Sequence, residues 1–361
     1  MITLNKLFMR LVSKLKKKDL LGKRVLLRAD LDVPIKDGIV ANAFRLESVL
    51  PTINFLLKNG AEVEVVGHLG RRGESLAPIR TWLINKVKNP KLTVRENLRR
   101  DIGEEKNDKN FTKQLAKGFD LYVNDAFAAS HRKHASVVGV AKLLPSYAGL
   151  QLEKEIKVLK SLSKPVKPLV LIIGGAKFES KLPVVEKFLP EAEKVFVLGA
   201  LANLFLKRQG YEIGKSFVDS QAPSITKLLK SKKVFLPVDL VVKKINGAKT
   251  VVNVDGVKIG DTIVDAGPLT IKLLAESLKK AGTIVWNGPL GVCELGYKEG
   301  TEGLINILLK SKSKIIVGGG DTVAALNTNV LKKKNIFVST GGGAMLQLLA
   351  SGTLPGIKSL E

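Results

Sequence analysis

Sulfur and imidazole ligands are scarce in this chain. Its 361 residues include one cysteine, Cys293, and three histidines, His68, His131 and His134. A single cysteine excludes an intramolecular disulfide and a four-cysteine metal site, and it is typical of a protein of the reducing cytoplasm. Three histidines without further ligands do not make a persuasive metal site.

Long apolar runs are also missing, so we expect no membrane span. The N-terminus, "MITLNKLFMRLVSKLKKKDLLGK", places six apolar residues between Leu4 and Leu15 on one helical face and has no acid before Asp19. This pattern fits a transit peptide or a membrane-surface helix. We favour an amphipathic helix that docks on its own domain, which explains the same spacing.

Acidic residues are few relative to basic ones: 59 Lys and Arg face 33 Asp and Glu, giving a net charge of +26. Lysine is spread evenly, which is typical of a solvated surface, although a face for nucleic acid or another polyanion gives the same excess. Arginine is not spread evenly, because all twelve except Arg208 lie before residue 133. Since the guanidinium grips phosphate and carboxylate, the first third of the chain is expected to hold an anion.

Short apolar runs alternate with helical segments and predict an α/β fold with doubly wound parallel sheets. The runs are "RVLLRAD", "AEVEVVGHLG", "LYVND", "LVLIIGGAK", "KVFVLGA", "KVFLPVDL", "TIVWNGPLG", "SKIIVGGGD" and "NIFVSTGGG". The length predicts two domains. We place them at residues 1–150 and 169–340, joined by a helical hinge at 151–168, and expect residues 341–361 to return to the first domain.

Glycine-rich turns end several of these runs, where ligands of parallel sheets collect. "IVGGGDTVAAL" and "VSTGGGAMLQL" each predict a strand, a glycine turn and a helix whose N-terminus can bind phosphate, although such glycines can also serve tight packing alone. Asp321 is placed to hold Mg²⁺ or to be an ordinary helix cap. Lys177 and Lys181 in "LIIGGAKFESK" are candidates for neutralising a phosphoryl group.

One further glycine motif does not indicate a phosphate site. "GYEIGKS" is one residue short of a P-loop and follows a helical segment, so we interpret Gly210 as a helix C-cap.

Polar residues of the first third cluster near predicted strand ends and outline a pocket for a small anion, although a structural salt-bridge network is the alternative. They are Arg28, Asp30, Arg45, His68, Arg71, Arg99, His131 and Arg132.

Taken in order, these motifs resemble those of the phosphoglycerate kinase family through nearly the whole chain. The matching segments are "RADLDVP", "FRLESVLPTI", "GHLGRR", "SLAP", "ENLR", "YVNDAFAASHRKHAS", "IIGGAKFESK", "LPVD", "VWNGPLGVCE", "VGGGDT" and "STGGGA". The resemblance implies two Rossmann-like domains and a hinge-bending, monomeric kinase of glycolysis. It would bind 3-phosphoglycerate or 1,3-bisphosphoglycerate at the N-terminal domain and Mg-ADP or Mg-ATP at the C-terminal one.

The resemblance also implies residue roles. The acid substrate would be bound by Arg28, Asp30, Asp32, Arg45, His68, Arg71, Arg99, His131 and Arg132. The nucleotide would be bound by Gly175, Lys177, Lys181, Gly199, Asn287, Glu294, Gly320, Asp321 and Thr322, with Asp321 on Mg²⁺. Arg45, Lys177, Gly342 and Gly343 would act on the phosphoryl group in transfer.

Departures from the family pattern affect the first domain most. Asp32 stands where the family usually has asparagine, and it adds a negative charge beside an anionic substrate unless Arg28 or another arginine pairs with it. The segment between "SLAP" and "ENLR" is shorter than usual. A second hypothesis, motivated by the net charge of +26 and by Asp32, is a catalytically weak relic that acts as a polyanion- or nucleic-acid-binding protein.

Overall fold

The structure is a computed structural model that describes residues 9–219 and 224–361. It divides into two compact units. The first contains the chain up to Ser163 together with Gly343–Glu361, and the second contains Lys164–Gly342. The hinge function expected for residues 151–168 stays a prediction.

A five-stranded parallel sheet with the order β5-β4-β1-β6-β7 forms the first unit, together with a small β2-β3 hairpin. The strands are β1 (Arg24–Arg28), β2 (Ile35–Lys36), β3 (Ile39–Val40), β4 (Glu62–Val66), β5 (Leu92–Val94), β6 (Leu121–Asn124) and β7 (Ser146–Ala148). The helices are α1 (Lys17–Leu20), α2 (Phe44–Lys58), α3 (Ala77–Val87), α4 (Ile102–Lys106), α5 (Lys109–Ala116) and α6 (Leu150–Lys160).

Alternating residues of the central strands fill the core of this unit. Val25 and Leu27 of β1 lie in one buried cluster with Val63 and Val65 of β4. Strand β6 is buried along its whole length, as expected for a parallel sheet that is covered on both faces.

The N-terminal segment docks on its own unit, but not as the helix we expected. Of that prediction, residues 1–8 lie outside the described residues. From there on, Leu11 forms a parallel bridge with Ala148, and the carbonyl of Arg10 accepts a hydrogen bond from the Ala148 N–H at 2.9 Å. Extended backbone at Leu11 pairs with the free edge of β7, which a continuous helix could not do. Val12, which begins the following 3-10 turn, is completely buried.

A six-stranded parallel sheet with the order β10-β9-β8-β14-β15-β16 forms the second unit. Its strands are β8 (Leu169–Ile173), β9 (Lys194–Val197), β10 (Val234–Phe235), β14 (Thr283–Asn287), β15 (Lys314–Gly318) and β16 (Ile336–Val338). The helices are α7 (Phe178–Phe188), α8 (Ala200–Arg208), α9 (Thr226–Leu229), α10 (Pro268–Leu278), α11 (Glu299–Lys310), α12 (Gly320–Ala324) and α13 (Thr328–Lys332).

The second unit also carries an antiparallel sheet that the sequence analysis missed. Its strands are β11 (Asp239–Lys243), β12 (Lys249–Asn253) and β13 (Thr262–Ala266), in the order β12-β11-β13. Strand β12 is largely exposed, so it lacks a buried apolar run. The sequence analysis also did not predict the short strands β2, β3, β5 and β7. All nine predicted runs contain a strand, and the α/β prediction with parallel sheets is confirmed.

The C-terminal helices are α14 (Gly342–Ser351) and α15 (Pro355–Lys358). The N–H of Gly356 donates to the carbonyl of Ser130 at 2.8 Å, and the Ser359 hydroxyl donates to the carbonyl of Val137 at 3.2 Å. These bonds hold the end of the chain against the loops that follow β6.

Helix α8 ends as predicted, with Gln209 at the C-cap and Gly210 at a φ of 90°. The left-handed conformation explains this glycine without a phosphate. Among the described helices, none has the length and hydropathy needed to cross a membrane.

Val12 tests the docking of the N-terminal segment. Val12→Ala should lower the free energy of unfolding of the first unit by about 2 kcal/mol, because it removes buried methyl groups and leaves a cavity. Urea unfolding can be followed by the fluorescence of Trp82, in a Trp286→Phe background that removes the signal of the second unit. The exposed neighbour Lys14 supplies the control, Lys14→Ala. Equal effects of the two substitutions would contradict the docked segment.

Candidate active site

Polar side chains of the first unit gather where β4, β1 and β6 end. These strands are neighbours and parallel, so their carboxyl ends meet at one edge of the sheet. We call the group the arginine–histidine cluster; the predicted members that the structure brings together are Arg28, Asp30, Asp32, Arg45, His68, Arg99, His131 and Arg132.

Arg28 lies at the bottom of the cluster and is completely buried. Its Nε donates to the Ser136 hydroxyl at 2.9 Å, one terminal nitrogen donates to the carbonyl of Ala29, and the other lies 2.8 Å from Nδ1 of His68. Every nitrogen of this guanidinium therefore has a partner within the protein. The substrate contact implied for Arg28 stays a prediction, and its observed contacts are those of a residue that orients others.

His68 is held as a neutral imidazole. Burial, reinforced by the charges of Arg28 and Arg99, lowers the pKa of His68 from 6.5 to about 2. Burial likewise lowers the pKa of His134 to about 4, with the same two arginines contributing. His134 was not among the predicted site residues, although the motif "SHRKHAS" contains it.

Asp30 and Asp32, the two acidic residues of the cluster, each accept a hydrogen bond from a backbone N–H. Asp32 accepts a hydrogen bond from the N–H of Gly70 at 3.0 Å, and its Oδ2 lies 3.9 Å from a terminal nitrogen of Arg45. Arg45 also donates to the backbone carbonyl of Asp32 at 2.5 Å. The arginine that pairs with Asp32 is thus Arg45. Asp30 accepts from the N–H of Ala128 at 2.8 Å.

The loop of residues 70–74 is shaped by a buried asparagine. The side-chain amide of Asn97 donates to the carbonyls of Leu69 at 2.8 Å and Glu74 at 2.9 Å, and Arg99 donates to the carbonyl of Gly70. Arg71 stands on this loop with an exposed side chain. Asn97 was missed because its role depends on backbone groups more than twenty residues away.

His131 and Arg132 follow β6 and lie at the other side of the cluster. The Nε of Arg132 is 3.4 Å from Nε2 of His131. Burial lowers the pKa of His131, although the charge of Asp30 opposes this.

In the second unit, glycines allow three strand ends to approach one another. The N–H of Gly174 donates to the carbonyl of Asn287, and that of Gly175 to the carbonyl of Pro289, both at 2.8 Å. A Cβ at Gly199 would lie 2.6 Å from the Gly175 nitrogen, and one at Gly288 would overlap the carbonyl of Gly174. These glycines are required by backbone contact within the protein.

Two lysines stand beside this contact. Lys181 is buried and donates to the carbonyl of Gly174. Burial lowers the pKa of the Lys181 ammonium to about 8, the charge of Asp321 opposes this, and that of Lys177 adds to it. Lys177, at the N-cap of α7, is exposed. The charges of Lys177 and Asp321 therefore both act on the Lys181 ammonium.

The residues after β14 and β15 differ in exposure. Asn287 is buried, and its amide nitrogen has no hydrogen-bond partner among the described residues. Thr322 is buried too, and its hydroxyl accepts from the N–H of Gly288 at 2.8 Å. Asp321 and Glu294 are exposed. Among the described residues, no group of three His, Cys, Asp or Glu side chains could hold a metal ion.

An apolar cleft joins several of the predicted residues of the second unit. The predicted residues that line this cleft are Gly175, Gly199, Glu294 and Asp321. The apolar residues that line it include Pro237, Leu240, Pro289, Leu290 and Val292. The sequence analysis missed these apolar members because their residue types are equally typical of a core.

The glycines of the two triplets differ: some are required for tight packing, and others leave space in which a ligand can bind. A Cβ at Gly342 would overlap the Cα of Gly319, whereas Gly320 and Gly343 have open space around the Cβ position. Gly343 is exposed at the start of α14, where backbone N–H groups lack partners within the helix. One glycine of the second triplet is thus required for packing, and the next leaves room for a ligand.

Alanine substitutions separate these cases. Gly342→Ala should lower the free energy of unfolding by about 1 to 3 kcal/mol, because backbone atoms of Gly319 must move. Gly320→Ala and Gly343→Ala should be neutral or stabilising by up to about 1 kcal/mol, since alanine favours helix. Thermal unfolding of the three variants measures the difference. Gly342→Ala unfolding like the other two would disprove the contact.

Comparison with known proteins gives a consistent result. The family model described as phosphoglycerate kinase matches residues 15–81 and 77–352. Curated phosphoglycerate kinases of Finegoldia magna and Thermosipho africanus are each 40% identical to this chain, over 94% and 95% of it and 96% of each relative.

Solved structures agree. Phosphoglycerate kinase from Coxiella burnetii matches with a TM-score of 0.81 at 36% identity, and the enzyme from Pyrococcus horikoshii OT3 with 0.82 at 28%; both alignments cover 98% of each chain. The Finegoldia alignment spans 381 residues, more than the 361 of this chain, so that relative carries residues that are lacking here. The two segments of the family match meet at residues 77–81, next to the stretch that we found to be short.

Proposed function

The chain belongs to the phosphoglycerate kinase family, and we propose on this premise that its two clusters bind the two substrates of that reaction. The enzyme transfers a phosphoryl group reversibly from 1,3-bisphosphoglycerate to ADP, giving 3-phosphoglycerate and ATP. The observation that carries the assignment of residues is the arginine–histidine cluster at the carboxyl edge of the first sheet.

The acid substrate binds at the arginine–histidine cluster. Arg45, Arg71, Arg99 and Arg132 supply guanidinium groups for its carboxylate and phosphate, and neutral His68 supplies a directional donor. Asp30 accepts a hydrogen bond from the N–H of Ala128 and helps to keep these groups in place, whereas Asp32 pairs with Arg45 and competes with the substrate for it. The buried Arg28 acts from below, through His68.

The nucleotide binds in the second unit. Its base lies in the apolar cleft between Leu240 and Leu290, since a planar ring prefers a dry, concave surface. Asn287 and Glu294 bind the sugar side, and the phosphates face Lys181 and Lys177. The N-terminus of α14 at Gly343 supplies backbone donors to the phosphoryl group.

Mg²⁺ accompanies the nucleotide. The donor set fits this: Asp321 is exposed and lines the apolar cleft, and Mg²⁺ is commonly bound by one or two carboxylates together with substrate phosphates and water. Asp321 would hold the ion, which neutralises phosphate charge when bound.

The chemistry needs positioning and positive potential more than a catalytic base. Both reacting oxygens, the carboxylate of 3-phosphoglycerate and the terminal phosphate of ADP, are already anionic. Lys177 therefore neutralises charge on the phosphoryl group, Arg45 orients the acceptor, and the N–H groups of Gly342 and Gly343 stabilise the equatorial oxygens. The hinge movement expected to bring the half-sites together stays a prediction.

The remaining assignments concern the location, the oligomeric state and the partners of the enzyme. We place the enzyme in the cytoplasm as a monomer, without an obligatory nucleic-acid partner. The alternative of a polyanion-binding relic has no support in the comparisons, since the relatives named above are phosphoglycerate kinases.

Lys177→Ala tests the catalytic role. We expect kcat to fall at least about 100-fold with little change in the KM for either substrate, because the charge acts on the transferring group. A coupled assay with ATP and 3-phosphoglycerate measures this. Lys280→Ala removes an equal charge from an exposed lysine at the amino edge of the same sheet and should leave kcat unchanged. An undiminished kcat in Lys177→Ala would refute the assignment.

Asp32→Asn restores the usual family residue. It should lower the KM for 3-phosphoglycerate about 2- to 5-fold, since it removes a like charge from a partly exposed site and leaves Arg45 for the substrate. The effect should shrink as ionic strength rises. Asp37→Asn, in the exposed β2-β3 turn, is the control. A KM that rises would mean that Asp32 orients Arg45 and is needed there.

A further inference from the structure

A buried carboxylate lies behind the arginine–histidine cluster. Asp101 caps α4 by accepting the N–H of Gly103 at 2.7 Å, and this places Glu104 inside the unit. Glu104 is completely buried, and its two oxygens accept from the N–H of Ser136 at 2.9 Å and from the Ser136 hydroxyl at 2.5 Å. The motifs of the sequence did not point to either residue.

The carboxylate fixes the direction of the Ser136 hydroxyl. The Ser136 hydroxyl donates its proton to Glu104, so its oxygen lone pairs face Arg28, whose guanidinium has donors only. The Nε of Arg28 donates to that oxygen at 2.9 Å. The Tyr122 hydroxyl holds the same residue from another side, donating to the Ser136 carbonyl at 2.5 Å. The plane of the guanidinium is therefore set by side chains from α4 and from the π-helical turn Ala135–Gly139.

The guanidinium in turn sets the proton of His68. Arginine has donors only, so the His68 Nδ1 that lies 2.8 Å from Arg28 must accept. A neutral imidazole with an accepting Nδ1 carries its proton on Nε2. That nitrogen faces the substrate side of the cluster, 4.0 Å from Oδ2 of Asp32. The opposite tautomer would present a lone pair to an anionic substrate.

We propose that Glu104 and Ser136 are positioning residues for the acid substrate, which act through Arg28 to hold His68 as the Nε2–H tautomer. The inference deepens the proposed function and rests on it. A purely structural role for this buried network would predict lost stability only. The positioning role predicts in addition a change in the His68 protonation pattern and a selective change in one KM.

Ser136→Ala tests the proposal, since it removes the hydroxyl between Glu104 and Arg28 and adds no bulk. Imidazole ¹⁵N spectra should show a single Nε2–H tautomer for His68 in the wild type and a mixture in the variant. In the coupled assay the KM for 3-phosphoglycerate should rise about 10-fold, as for loss of a hydrogen bond to a charged group, while the KM for ATP stays constant. Glu104→Gln should shift both readouts in the same direction.

The control is Ser146→Ala, because Ser146 is also buried in the first unit but its hydroxyl donates to the backbone carbonyls of Ala141 and Leu144, outside the cluster. It should leave the His68 spectrum and both KM values unchanged. An unaltered His68 spectrum in Ser136→Ala, or equal rises of both KM values, would overturn the proposal. If the wild type were inactive, the proposed function would fail, and the spectra would decide the tautomer question alone.

Discussion

The contact between the buried Arg28 and His68 is the interaction on which the arginine–histidine cluster depends. Burial, together with the charges of Arg28, Arg99 and Arg45, lowers the pKa of His68 and keeps the imidazole neutral. Carboxyl groups lie close to these cations in the first unit. Asp32 is 3.9 Å from Arg45, and Glu104 accepts a hydrogen bond from the Ser136 hydroxyl. In the second unit, burial and Lys177 weaken the proton affinity of Lys181, and Asp321 opposes them.

Close backbone contact is the second common element. Parallel strands converge at their carboxyl ends only if the turns between strand and helix can approach, and Gly174, Gly199 and Gly288 have no space for a Cβ. The same turns leave N–H groups at helix starts such as Gly343 without partners inside the helix. Packing and ligand binding are thus served by adjacent glycines of one motif, and a triplet in the sequence does not distinguish them.

Much of the architecture was predictable because the strands are buried on both sides. Continuous Val, Ile and Leu runs located all nine predicted strands, and the helix end at Gly210 followed from local sequence. The exposed strand β12 and the extended segment at Leu11 were not predictable in this way. Strand β12 has no apolar periodicity because it is largely exposed. The segment at Leu11 pairs with Ala148, which lies far away in the sequence.

By itself, the sequence determined which chemical groups are available and roughly where they stand, since strand ends and glycine turns are local features. It indicated arginines for an anion in the first unit, lysines and glycines for phosphate in the second, and membership of a kinase family. Only the tertiary structure decided which groups face one another. In the folded chain Arg28 is buried and contacts Ser136 and His68, and Asp32 pairs with Arg45. Some glycines are in close backbone contact, and others have open space around the Cβ position. These pairings join residues that are far apart in sequence, so their hydrogen bonds and charges leave no trace in local composition.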